Sequence, residues 1–352
     1  MTKHISGIQQ MGIGIPNVHE AWKWYRAHLA IDVPIFEEAA TAGLMLPYTG
    51  GKPQDRHAIL ALSMQGGGGF EIWQYTSRVP QAAVHAPVLG DLGIYICKIK
   101  SNNIQAAWNL LHGKGVALSD NIETNPAGQR HFFIADPYDN IFEIIESDTF
   151  FVNDQKPTGG VFGAVIGVSS IEDSLKLYAD VLGYSEIVFD ENEAFSDFKC
   201  LNNGEQRFRR VLLRHPAKRQ GAFSELLGPS EIELVQAVNY QPRKIFQNRF
   251  WGDLGFIHLC FDVNNMKALK ELCESNGFPF TVDSANSFDM GEAAGHFTYI
   301  EDPDGALIEF VETHKIPILK KIGWYLNLQK RNPLKPLPKW MLKSLSLNRK
   351  KD

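Results

Sequence analysis

The sequence predicts an α+β protein made of four βαβββ modules, followed by a basic C-terminal extension. Three observations lead there. The chain repeats itself once over most of its length, and each half repeats itself again. Every unit opens with a strand-like alternation that gives way to one helical stretch.

The long repeat has four matches in one order. Gly90 to Asn103 reads GDLGIYICKIKSNN and Gly252 to Asn265 reads GDLGFIHLCFDVNN, a gapless offset of 162. The same offset lays GGFEIWQ, with Glu71, on SEIELVQ, with Glu233. FIADPYDNIFEIIE, with Glu143, matches YIEDPDGALIEFVE, with Glu309, at offset 166. MGIGIPNVHEAWKWY, ending at Tyr25, matches AVIGVSSIEDSLKLY, ending at Tyr178, at offset 153. Two homologous halves are therefore expected over residues 1–151 and 157–314, with VNDQKPTGG (152–160) as the linker.

Each half divides again. Met11, Ile13 and Ile15 alternate as in a strand, Pro16-Asn17 breaks the run, and Trp22, Tyr25 and Leu29 then recur at helical spacing. Short β-rich runs follow, AILALSM and GFEIWQYT, separated by the GGGG turn at Gly66 to Gly69. That glycine run has no Lys-Ser/Thr and precedes a strand, so it reads as a hairpin turn and not as a phosphate loop. The next unit repeats the order with IYICKIK, a helix through AAWNLLHGKG, HFFIAD and IFEIIE. The modules fall at about 4–80, 88–150, 158–240 and 250–314.

The strand–helix openings ending in WY or LY, the DPDG turn before IEFVE, and the strands FEIWQ and IELVQ resemble the vicinal oxygen chelate superfamily, which holds glyoxalases, bleomycin-resistance proteins and dioxygenases. The resemblance covers about residues 4–314. It implies two tandem glyoxalase-like domains in which pairs of modules form open β-cups around a metal. Each module offers one ligand position on its first strand and one on its last. Here these positions hold Gln10 and Glu71, Ile96 and Glu143, Gly163 and Glu233, and His258 and Glu309.

Pairing decides which positions converge. Pairing within halves gives two three-ligand sets, each with a gap at Ile96 or Gly163. Pairing module 1 with 4 and 2 with 3 gives one complete set, Gln10, Glu71, His258 and Glu309, and one defective set. The second scheme sorts the residues more cleanly and is preferred. Its complete set resembles that of glyoxalase I and implies one divalent ion, Zn, Ni, Co, Mn or Fe. The resemblance further implies that Glu309, with Glu71 on the opposite face, moves a proton next to a substrate carbonyl.

Tyr299, ten residues before Glu309, stands where ring-cleaving Fe(II) dioxygenases of the superfamily carry a Tyr; a residue of this kind is more often a cup-lining aromatic than an acid. Gly163 replaces the His such dioxygenases need, and Gly14 and Leu254 stand where glutathione-dependent enzymes carry Arg. The expected activity is a lyase or isomerase on a small carbonyl compound not conjugated to glutathione. The alternatives are an extradiol-type dioxygenase and a metal-free protein sequestering a hydrophobic small molecule. Taken alone, His258 reads as a core histidine and Gln10 as a strand-end amide. His57, His85 and His296 are further candidates to line a cup.

Composition bounds the partners. The chain carries a net charge of −5, but residues 315–352 hold eleven Lys/Arg against Asp352, so the body before them is strongly acidic. An acidic body argues against nucleic acid as a partner and leaves a small-molecule substrate. The extension mixes Lys/Arg with aromatics such as Trp340, a pattern suited to peripheral membrane contact or to packing along the acidic body. Four scattered cysteines and the absence of an apolar leader at the start point to a cytoplasmic monomer or homodimer, membrane-associated if residues 315–352 touch lipid.

Overall fold

The computed structural model describes residues 4–284, 289–290, 293–319 and 324–350. Four modules follow one another, as the repeat requires. Module 1 comprises β1 (His4–Gly14), α1 (Val18–Leu29), β2 (Val33–Thr41), β3 (Asp55–Leu62) and β4 (Gly69–Tyr75). Module 2 comprises β5 (Gly93–Ser101), α2 (Ile104–Gly113), β6 (Glu123–Thr124), β7 (Arg130–Ala135) and β8 (Ile141–Glu146). Module 3 has β9 (Val161–Val168), α3 (Ile171–Leu175) continuing as a wider π turn over Lys176–Val181, β10 (Glu186–Glu193), β11 (Phe208–Arg214), the short α4 (Ser224–Leu227) and β12 (Glu231–Ala237). Module 4 has β13 (Gly255–Asn264), α5 (Met266–Ser275), β14 (Val282–Asp283), β15 (Asp289–Met290), β16 (Ala293–Glu301) and β17 (Leu307–Thr313). The extension adds β18 (Lys315–Leu319), β19 (Trp324–Asn327) and α6 (Lys339–Lys343).

The same chemistry starts each module's helix. The side-chain oxygens of Asn17, Asn103, Ser170 and Asn265 accept hydrogen bonds from backbone N–H groups in the first turn. The Gln that closes FEIWQ and IELVQ adds to this: Gln74 accepts from the Val18 N–H and Gln236 from the Ile171 N–H.

The strands form two large curled sheets. One runs β14-β16-β17-β13-β1-β4-β3-β2, with β15 beside β16, and the other runs β10-β11-β12-β9-β5-β8-β7-β6. Module 1 is thus joined to module 4 through the antiparallel β1–β13 ladder, and module 2 to module 3 through β5–β9. Each sheet draws one module from each half of the repeat. We call them the 1/4 cup and the 2/3 cup.

The helices and the outer faces of both sheets share one core, with Met11, Tyr25, Phe70, Phe142, Tyr178, Phe261 and Phe310 buried in it. Two tyrosines tie the cups together there. The Tyr25 hydroxyl of module 1 donates to Asp136 in the DPYD turn of module 2 at 2.7 Å. The Tyr178 hydroxyl of module 3 donates to Asp302 in the DPDG turn of module 4 at 3.0 Å. The WY/LY and DP motifs therefore serve as cross-sheet fasteners within each half.

Candidate metal centre

Strand register brings the four candidate ligands together. Gln10 lies on β1, Glu71 on β4, His258 on β13 and Glu309 on β17, four adjacent strands at the middle of the 1/4 cup. The His258 Nε2 lies 3.1 Å from the Glu309 carboxylate and 3.4 Å from that of Glu71. The Gln10 amide nitrogen donates to Glu71 at 3.3 Å and to Glu309 at 3.4 Å. One ligand atom from each of Glu71, His258 and Glu309 fits within 4.8 Å of the others. Gly12 makes room for this, because a Cβ there would lie 2.4 Å from the His258 ring.

The electrostatics are unbalanced. His258 is fully buried, and the side chains of Glu71 and Glu309 are 12% and 8% exposed. Among the described residues, neither carboxylate has a Lys or Arg within ion-pair distance. Burial works against a charged His258, but Glu309 and then Glu71 outweigh it and push the imidazole up to about 9. Neither His258 nitrogen, nor the Gln10 carbonyl oxygen, makes a well-aligned hydrogen bond among the described residues. Half a turn of the Gln10 amide would present that oxygen to the same point. Two carboxylates, an imidazole and an amide oxygen suit a divalent ion.

Aromatic rings wall the site. Tyr299 stands in register opposite Glu309, and its ring meets His258 edge-on at 5.5 Å. Burial first, and then Glu309, push its phenol well above the usual range, so it stays protonated. The Trp251 ring lies parallel to His258 at 6.5 Å and edge-on to Trp73 at 4.7 Å. Both indole N–H groups are buried without an acceptor among the described residues. A cavity of about 390 Å³ adjoins the site at Trp251 and Leu307, the latter in register with His258, and carries Tyr48, Phe250, Lys244 and Arg249 on its walls.

The other histidines singled out from the sequence lie elsewhere. His57 packs on the outer side with His19 and Glu37, His85 approaches Asp91, and His296 pairs with Asp283 at 2.6 Å.

The 2/3 cup brings Ile96, Glu143, Gly163 and Glu233 to the corresponding place, but other side chains fill it. Lys98 Nζ, fully buried, lies 2.5 Å from Glu233, 2.8 Å from Glu231 and 3.4 Å from Glu143. Arg210 joins Glu233 and lies 2.7 Å from Asp197, while His131 bridges Glu143 at 2.8 Å and Asp197 at 3.3 Å. Phe198 closes over the Arg210 guanidinium at 3.8 Å. Sequence reasoning missed Lys98, Arg210 and His131. The available signal was a lysine two residues after Ile96, in the middle of a strand whose residues up to Ile99 are otherwise apolar.

Residues 164–299 match the family model of the glyoxalase/bleomycin resistance protein/dioxygenase superfamily. A lactoylglutathione lyase of Schizosaccharomyces pombe is 29% identical over 156 residues, 42% of this chain and 45% of that one, so the match spans under half the relative's length. Among solved structures, glyoxalase I of Zea mays superposes with a TM-score of 0.54 at 11% identity, covering 99% of this chain and 96% of that one. A candidate dioxygenase from Bacillus subtilis gives 0.57 at 14%, covering 88% and 86%. Residues 164–299 thus carry the signature of the glyoxalase/bleomycin resistance protein/dioxygenase superfamily, and the chain as a whole has the fold of tandem glyoxalase-like proteins.

Proposed function

We propose that the protein is a divalent-metal-dependent lyase or isomerase of the glyoxalase type, acting on a small carbonyl compound. One observation carries this reading. The 1/4 cup buries two carboxylates around a single imidazole, with no Lys or Arg within ion-pair distance among the described residues, whereas the 2/3 cup answers its carboxylates with Lys98 and Arg210. Two buried carboxylates outnumber the one imidazole between them, and an uncompensated buried charge is unfavourable, so the first cup is suited to receive a cation from solution.

Gln10, Glu71, His258 and Glu309 would hold the ion, which when bound supplies Lewis acidity toward substrate oxygens. The chain's own groups do the remaining work. Glu309 accepts the proton from the carbon beside the carbonyl and returns it to the neighbouring atom. Tyr299 positions that carboxylate and keeps its own proton. Glu71 faces the same point from β4 and serves the opposite face of the substrate. The aromatic walls exclude water, and the unsatisfied Trp73 and Trp251 N–H groups offer donors for substrate oxygens. Gly14 and Leu254, where glutathione-dependent enzymes carry Arg, support a substrate without that conjugate.

The test is proton exchange. Metal-reconstituted protein is incubated in D₂O with α-hydroxy and α-oxo carbonyl compounds and followed by NMR. Deuterium should enter at the carbon beside the carbonyl, and Glu309→Gln should abolish its entry. Oxygen uptake with catechols and no exchange would favour the iron dioxygenase reading. Absence of both activities in metal-loaded protein would leave ligand sequestration.

A further inference from the structure

The C-terminal extension has two faces. The inner face is a built interface. Leu328, Leu337 and Leu342 are buried against Val33, Leu62, Met64, Phe151 and Leu226. The Leu337 N–H donates to the Ala222 carbonyl, and Arg349 pairs with Asp154 at 2.5 Å and with Asp32 at 3.4 Å. The extension is therefore part of the folded body, held by apolar burial and by the body's acids.

The outer face is different in kind. Trp340 is 67% exposed and Leu347 86% exposed, with Leu334 at 39%. Trp340 and Leu347 lie seven residues apart, over α6 and the turn that continues it. Lys330, Lys335, Lys343 and Lys350 are exposed on the same extension, while Lys339 turns its ammonium over Phe151, and no acidic residue occurs between 330 and 350. Among the described residues Trp340 stays mostly in solvent, because the extension's inner face is already fixed against the body.

We infer that this face is a docking surface for an anionic lipid bilayer. Trp340 and Leu347 would enter the headgroup–acyl boundary, while the lysines meet acidic headgroups. A second protein copy is the competing occupant, since the body is acidic. The composition favours lipid: lysine is depleted at protein–protein interfaces and enriched on membrane-surface segments. An enzyme docked this way would draw its carbonyl substrate from the membrane surface.

The experiment uses the full-length protein with phosphatidylcholine vesicles, with and without phosphatidylserine, at about 0.15 M salt, where electrostatics reach roughly 8 Å. Co-sedimentation should require phosphatidylserine. A Lys335→Gln/Lys343→Gln variant should bind at least about tenfold more weakly, since each lysine near such a surface contributes on the order of 1 kcal/mol. Trp340→Ala should also weaken binding while leaving the thermal midpoint unchanged, because its side chain is mostly in solvent. No sedimentation with phosphatidylserine vesicles, or equal sedimentation with both kinds, overturns the inference. So does a dimer seen by analytical ultracentrifugation that Trp340→Ala dissociates without any effect on vesicles.

Discussion

The two cups differ by a handful of side chains at matched positions, and those side chains give them opposite characters. Register places Gln10 opposite Cys260 and Gly163 opposite Lys98, so the two crossings correspond. Around them, Ala58 of the 1/4 cup corresponds to Arg210, Phe297 to His131, Tyr299 to Phe133, and His258 to Ile96. The carboxylate pairs Glu71/Glu309 and Glu233/Glu143 occupy the same places in both. One cup keeps its carboxylates partly accessible and sets a single imidazole, but no Lys or Arg, against them. The other supplies cations from its own strands and closes phenylalanines over them. A duplicated ligand scaffold can thus be kept as a centre for an outside ion or converted into an internally neutral core.

The largest effect should come from breaking the internal neutrality. Lys98→Met leaves Glu143, Glu231 and Glu233 facing one another and should cost roughly 3–5 kcal/mol in urea unfolding. The same chemical change should act oppositely in the two cups of metal-free protein. Glu233→Gln strips Lys98 and Arg210 of a partner and destabilises, whereas Glu71→Gln removes a buried like charge and is neutral or stabilising by about 1 kcal/mol.

Metal addition should come next. An ion that binds only the folded chain adds about 2.7 kcal/mol at a hundredfold excess over its Kd. A matching rise in thermal midpoint is expected for wild type and for His131→Phe, and none for His258→Ala.

Stability should also depend on pH through the 2/3 cup. Burial opposes charge on His131, but Glu143 and Asp197 raise it to about 9. Its contribution is full below the ordinary histidine value of about 6.5 and is lost as pH rises through about 9. Glu143 runs the other way. Burial disfavours its charge, yet Lys98 and His131 lower it to about 2, so its contribution holds above the ordinary carboxylate range and is lost as pH falls toward 2. In a His258→Ala background, denaturant unfolding should lose on the order of 2–3 kcal/mol between pH 6.5 and 9.5, and His131→Phe should flatten that decline.

The smallest effect concerns the fasteners. Tyr25→Phe and Tyr178→Phe each remove one hydrogen bond to a buried carboxylate and should cost about 1–2 kcal/mol. A variant with both changes should show whether the halves melt together.

The fold was legible because each module repeats one pattern. Met11, Ile13 and Ile15 alternate, Asn17 caps, and Trp22, Tyr25 and Leu29 turn inward; the other modules follow the same order. The ligand positions were legible because Ile96 and His258 align without a gap. Pairing was harder to read, since alternation fixes which face is buried but not which neighbour a strand takes. The neutralising network was hidden for another reason. A strand lysine or arginine ordinarily marks a solvent face, and only three-dimensional register brings Lys98, Arg210 and His131 onto Glu143, Glu233 and Asp197. Packing of the extension along the acidic body was legible from its charge, but which leucines it buries was not, because they show no regular period among the prolines.

Metal content is the most direct test of the contrast between the cups. Full-length protein reconstituted with Zn²⁺, Mn²⁺ or Fe²⁺ would be desalted and analysed by plasma mass spectrometry, beside His258→Ala and Glu143→Gln variants. The account predicts one ion per chain in wild type and in Glu143→Gln, and none in His258→Ala. A metal-free wild type, or an ion lost with Glu143→Gln and kept in His258→Ala, would contradict it.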